Sequence, residues 1–297
     1  MADFRRVEPV TILLACVAGA LFGALTVATR WGVVRSEDPE AGAFMTTSVA
    51  AGVGIVAALA AVRPSELAWH ELWPFLAIGV LIPGTAQVLF LYAVRAAGAS
   101  RVAIVIGMAP LASAVIAVGA FGERPHAALY AGTVLIVLAG ASLAWERARP
   151  VDFRAVGIAL AVTMALLFGL RDNLVRVAAE AREPPPVAAA AATLVGGAVA
   201  VLLYMAVRRR RRLTAGLRGS VVAFLPAGLA LGLAYVALVA AFDRGSVTLV
   251  APFNATQSLW GVLLAAIVLG RSDAVGRRLI LAALLMVGGS ALVGAFR

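Results

Sequence analysis

Arg171, Asp172 and Asn173 stand in a row inside an otherwise apolar stretch. Ionisable groups within a long apolar run are costly in lipid and tend to serve a substrate, a proton or one another. A guanidinium presents paired, coplanar donors that suit a carboxylate. Arg171 is therefore expected to bind an anionic group on a substrate, with Asp172 as its counter-ion or as a protonation site. A structural alternative stands beside this. Asp172 and Arg176 lie four apart and can pair on one helix face. An arginine close to the membrane interface can also extend its head to water.

Other polar positions fall within apolar stretches. Gln87 and Tyr235 each carry a hydrogen-bonding group well inside one. A buried polar group needs a partner, which is a substrate, water or a neighbouring helix. Asn254, Thr256, Gln257 and Ser258, followed by Trp260, form the most polar stretch in any apolar run. Asn254 and Ser258 are four apart and share a helix face. Pro252 just ahead of them points to a kink with exposed carbonyls. Asn254, Ser258 and Gln257 are expected to line a cavity, and Pro110 marks a second bend. Glu123, Asp243 and Arg244 read as interfacial caps or gate-side charges, and Arg208 through Arg212 as a lipid and topology anchor.

The elements that position these residues follow from composition. Of 297 residues, 63% are hydrophobic and 13% are charged. Soluble domains carry about 25% charged and about 45–50% apolar residues. Lipid must take the surplus apolar surface. It is spread along the whole chain, so no segment reads as a soluble domain. A helix crossing the bilayer core needs about 20 apolar residues. On that measure the sequence predicts spans near 10–29, 41–62, 73–94, 102–121, 127–145, 155–176, 187–207, 221–242, 248–269 and 278–296. The gaps are short, which makes sequential helices antiparallel.

The spans repeat. Leu21-Phe22-Gly23 precedes Arg30 as Leu167-Phe168-Gly169 precedes Arg176. An offset of 148 residues carries Gly84 onto Gly232, Gln87 onto Tyr235, Gly122 onto Gly270, Gly140 onto Gly288 and Ser142 onto Ser290. Residues 1–148 and 149–297 are thus expected to be two related halves of five helices each. An odd number of crossings per half makes the second half run in the opposite sense. Inverted repeats of this kind are an architecture of secondary transporters.

All 25 basic residues are Arg, and the formal net charge is +10. Most of them lie between spans, where they meet lipid phosphate and set topology; nucleic acid is not an expected partner. Cys16 is the single cysteine, and His70 and His126 are the only histidines. No disulfide, metal centre or cofactor is expected on these grounds. The chain has no lysine and no G-x-x-x-x-G-K-[ST] motif, which excludes ATP drive within it. Arg5, Arg6 and Leu13-Leu14-Ala15-Cys16 resemble a secretion or lipoprotein signal. Cleavage is not expected, because Glu8 and Pro9 interrupt the stretch and the repeat needs it as a first helix.

Tyr92-Ala93-Val94-Arg95-Ala96-Ala97-Gly98-Ala99-Ser100 leads into a helix with Pro110 and ends at Gly122-Glu123-Arg124; Gly132 and Gly140 follow. The plan returns through Ala234-Tyr235, Arg244-Gly245 and Gly270. The chain here resembles EamA-type members of the drug/metabolite transporter superfamily over nearly its whole length. Phe22-Gly23 stands where many members have Trp-Gly, and Gly270-Arg271 where Gly-Glu is common. The resemblance implies an all-α integral membrane protein of about ten helices, in two inverted five-helix repeats. It also implies a substrate near the midplane, lined by the first, third and fourth helices and their repeat mates.

The function expected is secondary transport of a small organic metabolite or drug-like solute by alternating access, driven by exchange or by protons. An integral membrane enzyme acting on lipid, or a non-transporting receptor or scaffold, are the alternatives. The clustered His, Asp, Glu or Cys of such an enzyme are missing from the sequence. The expected location is the plasma (inner) membrane, with lipids as neighbours and the protein a monomer or homodimer. The richer arginine side, with Arg95, Arg101, Arg154 and Arg208, points to termini outside the cytoplasm. Relatives are usually drawn the other way, so orientation stays open.

Overall fold

A computed structural model describes residues 9–36, 38–63, 67–122, 127–145, 153–182, 184–209, 217–244, 250, 253–270 and 275–295. Among them there is no strand. The helices are α1 Pro9–Arg35, α2 Pro39–Ala61, α3 Trp69–Gly79, α4 Ala86–Ala97, α5 Ala99–Ile106, α6 Ala109–Phe121 and α7 Ala127–Ala144. They continue with α8 Val156–Arg182, α9 Pro186–Arg209, α10 Leu217–Arg244, α11 Gln257–Val268 and α12 Arg277–Ala295. Seven stretches among the described residues are long and apolar enough to cross a membrane, and two shorter apolar helices, Ala127–Leu143 and Gln257–Val268, accompany them. Large apolar side chains such as Leu13, Val56, Tyr130, Leu203, Val222 and Ile267 face outward from these helices. Such a surface suits lipid, not water.

The third and fourth expected spans are each broken. Ile82, ahead of Pro83, leaves the helical region (φ −143°, ψ 120°), so α3 and α4 are joined by an irregular stretch, Val80–Thr85. The residue before a proline is pushed toward extended backbone. The other break, between α5 and α6, falls at Gly107–Met108, just before Pro110. Proline lacks an N–H and crowds the carbonyl four residues earlier. Two carbonyls around this break take side-chain donors. Ser258 Oγ donates to the Ala103 carbonyl (3.0 Å) and Ser290 Oγ donates to that of Gly107. The 148-residue offset carries Gly107–Met108 onto Ala255–Thr256, where the chain also leaves the helix before α11. Pro252, Glu123, His126, Arg210 through Arg212 and Arg271 lie outside the described residues.

The most extensive helix packing crosses the sequence midpoint. α1 packs along α10 and α11, while α8 packs along α4, α5 and α6. α2 packs on α9 and α10, α3 on α9, α5 on α11 and α7 on α12. Glycines bring these backbones close. A Cβ on Gly23 of α1 would fall 2.6 Å from Trp260 Cβ and 2.7 Å from Gly261 N of α11. A Cβ on Gly169 of α8 would fall 2.6 Å from Ser113 N and 2.8 Å from the Ala112 carbonyl carbon of α6. The repeat offsets relate Gly23 to Gly169, and Ala112–Ser113 to Trp260–Gly261. One crossing therefore occurs twice. Small residues that let helix backbones touch are the usual solution in lipid, where apolar burial does not hold helices together.

Helix ends are tied by polar contacts. Arg30 is buried and its Nη1 donates to the Arg95 carbonyl (3.0 Å), capping α4 from α1. Arg101, counted above as lying between spans, is 1% exposed, so it is no lipid anchor. Asp38 Oδ1 accepts from Ala41 N (3.0 Å) and starts α2. Beside it Glu40 accepts from Tyr204 Oη (3.1 Å) and lies 3.6 Å from Arg208 Nε. Arg244 Nη1 donates to the Ala240 carbonyl (2.9 Å) at the exposed end of α10, near Asp243.

Candidate substrate cavity

Helices from both ends of the sequence line a cavity that is partly open to its surroundings. α1 contributes Phe22, Leu25 and Thr26; the break before α4 and α4 itself contribute Pro83, Ala86, Gln87 and Phe90. α5 adds Ala103 and Ile106, α8 adds Met164 and Phe168, α10 adds Leu231 and Tyr235, and α11 adds Gln257. None of these side chains is ionisable near neutral pH, and most are apolar. That character fits a small-molecule site with few orienting polar groups. The helix breaks matter here: Pro83 itself lines the wall, and Ile106 ends α5 just ahead of the turn at Gly107.

Tyr235 is the most connected wall residue. Its ring meets Phe22 edge-on, with centroids 5.9 Å apart and planes at 67°, a favoured aromatic geometry. Its hydroxyl accepts a bond from Arg171 Nη1 at 2.8 Å. Arg171 also donates to Asp172 Oδ1, through Nε at 3.0 Å and Nη2 at 2.6 Å. Its guanidinium carbon lies 5.1 Å from the Phe168 ring centroid and 5.8 Å from that of Tyr235, within cation–π range. The cation therefore already has an anion, a hydroxyl and two rings around it. Arg171 and Asp172 stand behind the wall and are not part of the lining. α8 and α10 do not pack along each other, so the Arg171–Tyr235 bond is a strut across otherwise unpacked helices.

The sequence-expected residues separate by position. Gln87, Tyr235 and Gln257 line the cavity together, with Arg171 and Asp172 joined to it through the Tyr235 hydroxyl. Gln87 is 4% exposed and its Nε2 has no hydrogen-bond partner among the described residues. Asn254 lies outside the lining, half-buried, with no partner for Oδ1 among the described residues. Ser258 is fully buried and spends its hydroxyl on α5. Asn173 also turns away: its Nδ2 donates to the carbonyl (3.0 Å) and Oγ (3.2 Å) of Ser113 and to the Gly169 carbonyl (2.9 Å). Sequence reasoning overlooked Phe22, Phe90 and Phe168 as walls. The repeated Leu-Phe-Gly carried the signal for Phe22 and Phe168, since a repeated aromatic beside a close-contact glycine sits at a helix crossing.

A bundle of apolar helices with an internal cavity and a lipid-facing exterior defines a multi-pass membrane protein. The model of the EamA-like transporter family matches the chain twice, over residues 9–144 and 155–295. The protein belongs to that family, within the drug/metabolite transporter superfamily. A solved structure described only as "Crystal structure of protein" is similar over 95% of both chains, with 20% identity and a TM-score of 0.65. That degree of likeness speaks to the fold alone. No curated protein matches.

Proposed function

We propose that the protein is a secondary transporter that moves a small organic solute across the plasma (inner) membrane by alternating access. The observation that carries this reading is the cavity, lined jointly by helices of both family-matched segments. Two five-helix halves of opposite sense, ten crossings in all, account for the paired packing: α1 on α10 and α11 has its counterpart in α8 on α4, α5 and α6. The twin glycine crossings and the twin helix breaks, at Gly107 and Ala255, support the same plan.

Rocking of the halves, with α8 parting from α10 inside the second half, opens the cavity to one side and then the other. The Arg171–Tyr235 strut, joining helices that share no other extensive contact, is the gate on one mouth. Drive comes from exchange or an ion gradient. The protein works among membrane lipids as a monomer or homodimer, with the solute as its partner. Purified protein in liposomes loaded with a solute found by thermal-shift screening should show saturable counterflow. Phe90→Trp, which fills the cavity, should abolish counterflow without loss of folded protein. Binding without any counterflow sinks the transport reading.

A further inference from the structure

We infer that the occupant of this cavity is an uncharged organic solute with an apolar, ring-sized body and a hydrogen-bond-accepting group such as a carbonyl. The inference rests on the reading of the cavity as the substrate site. It departs from the expectation that Arg171 binds an anion.

Two observations carry it. The first is electrostatic. Every lining residue is uncharged, and the cation bonded to the wall, Arg171, is already engaged by Asp172 and Tyr235. A net charge brought into such a wall loses its hydration without gaining a counter-ion. The aromatic faces that would otherwise welcome a cation, those of Phe168 and Tyr235, already sit beside the Arg171 guanidinium.

The second is a mismatch of donors and acceptors. Gln87 Nε2 is buried with no partner among the described residues. The Tyr235 hydroxyl accepts from Arg171 but donates its own proton to none of them. These residues are repeat mates, so each half brings one unspent donor to the same apolar space. A buried donor left unmade is costly, and a solute acceptor completes both. Anions are the strongest acceptors but fail the first condition; neutral carbonyl compounds meet both.

The test uses four probes that share a benzene ring: benzamide, benzoate, benzylamine and ethylbenzene. Binding to full-length protein in nanodiscs at neutral pH is followed by calorimetry, and counterflow is measured in parallel in liposomes. Benzamide should bind at least tenfold more tightly than benzoate or protonated benzylamine. Gln87→Leu should weaken benzamide about fivefold, the loss of one hydrogen bond, and leave ethylbenzene unchanged. Ethylbenzene serves as the internal check that the variant cavity is intact. Benzoate binding as tightly as benzamide, with the advantage lost in Arg171→Gln, overturns the inference and restores charge recognition. Failure of every neutral probe at millimolar concentration overturns it too. Benzamide binding without flux leaves it standing and removes the transport reading instead; flux confined to charged solutes does the reverse.

Discussion

Tyr235→Phe is the sharpest probe of the gate. The substitution keeps the ring, its edge contact with Phe22 and the apolar wall, and removes one oxygen. Arg171 Nη1 loses an acceptor at 2.8 Å. The Asp172 bonds remain, but that side chain is 40% exposed, so solvent screens them and they contribute little to closure. A hydrogen bond from a charged donor contributes about 1.5–3 kcal/mol. If the strut exists only with that mouth closed, its loss lowers the closed-to-open ratio by roughly 10- to 150-fold. The assay places a reporter cysteine at Thr26, on the cavity wall, in a Cys16→Ser background, which removes the only native thiol. A membrane-impermeant maleimide is applied to right-side-out and inside-out vesicles. Tyr235→Phe should raise the labelling rate at least tenfold from one side and not from the other. Equal rates from both sides, unchanged by the substitution, refute the gate.

Other outcomes follow from the same contacts. Gly23→Leu should abolish monodisperse protein, because even its Cβ meets Trp260 at 2.6 Å, whereas Gly52→Ala, with nothing within 4 Å, should leave the elution profile unchanged. Asn173→Leu should lower stability by about 1–3 kcal/mol through the lost α6–α8 bonds, read as the thermal midpoint in nanodiscs. Solute affinity should hold in that variant, since Asn173 does not line the cavity. Ser258→Ala and Ser290→Ala each leave a carbonyl at the α5–α6 break without its side-chain donor. A thermodynamic cycle of the two should show coupling, as both serines support one bend.

Much of the fold could be read in the sequence because lipid imposes a simple code. Apolar runs of spanning length, broken by arginines and prolines, marked where the helices lie, and the repeated Leu-Phe-Gly marked the two glycines of the paired crossings. Pro110 foretold the bend after α5. The break at Ile82 was missed, although Pro83 was equally visible, because the surrounding run is apolar enough to read as one continuous span. The site was harder. Gln87, Tyr235 and Gln257 were reachable because a polar group in an apolar run attracts notice. Polarity alone does not say where a side chain points. Ser258 and Asn173 turn to backbone carbonyls on neighbouring helices, and the helix phase that decides this depends on crossings between distant segments. The phenylalanine walls gave no polar signal, and in a chain this apolar one more ring is inconspicuous.

The paired crossings at Gly23 and Gly169 have a mechanical consequence. Where two helices interlock through side chains, a change of angle forces each ridge to find a new groove. At these points backbone lies on backbone, and a pivot there disturbs no rotamer. Each works as a plain bearing, a smooth contact on which a rigid rod tilts without gear teeth to skip. In the proposed rocking, two such bearings, each joining a helix of one half to a helix of the other, fix an axle through the protein. Distances measured between spin labels near either bearing should stay constant while those at the cavity mouths change.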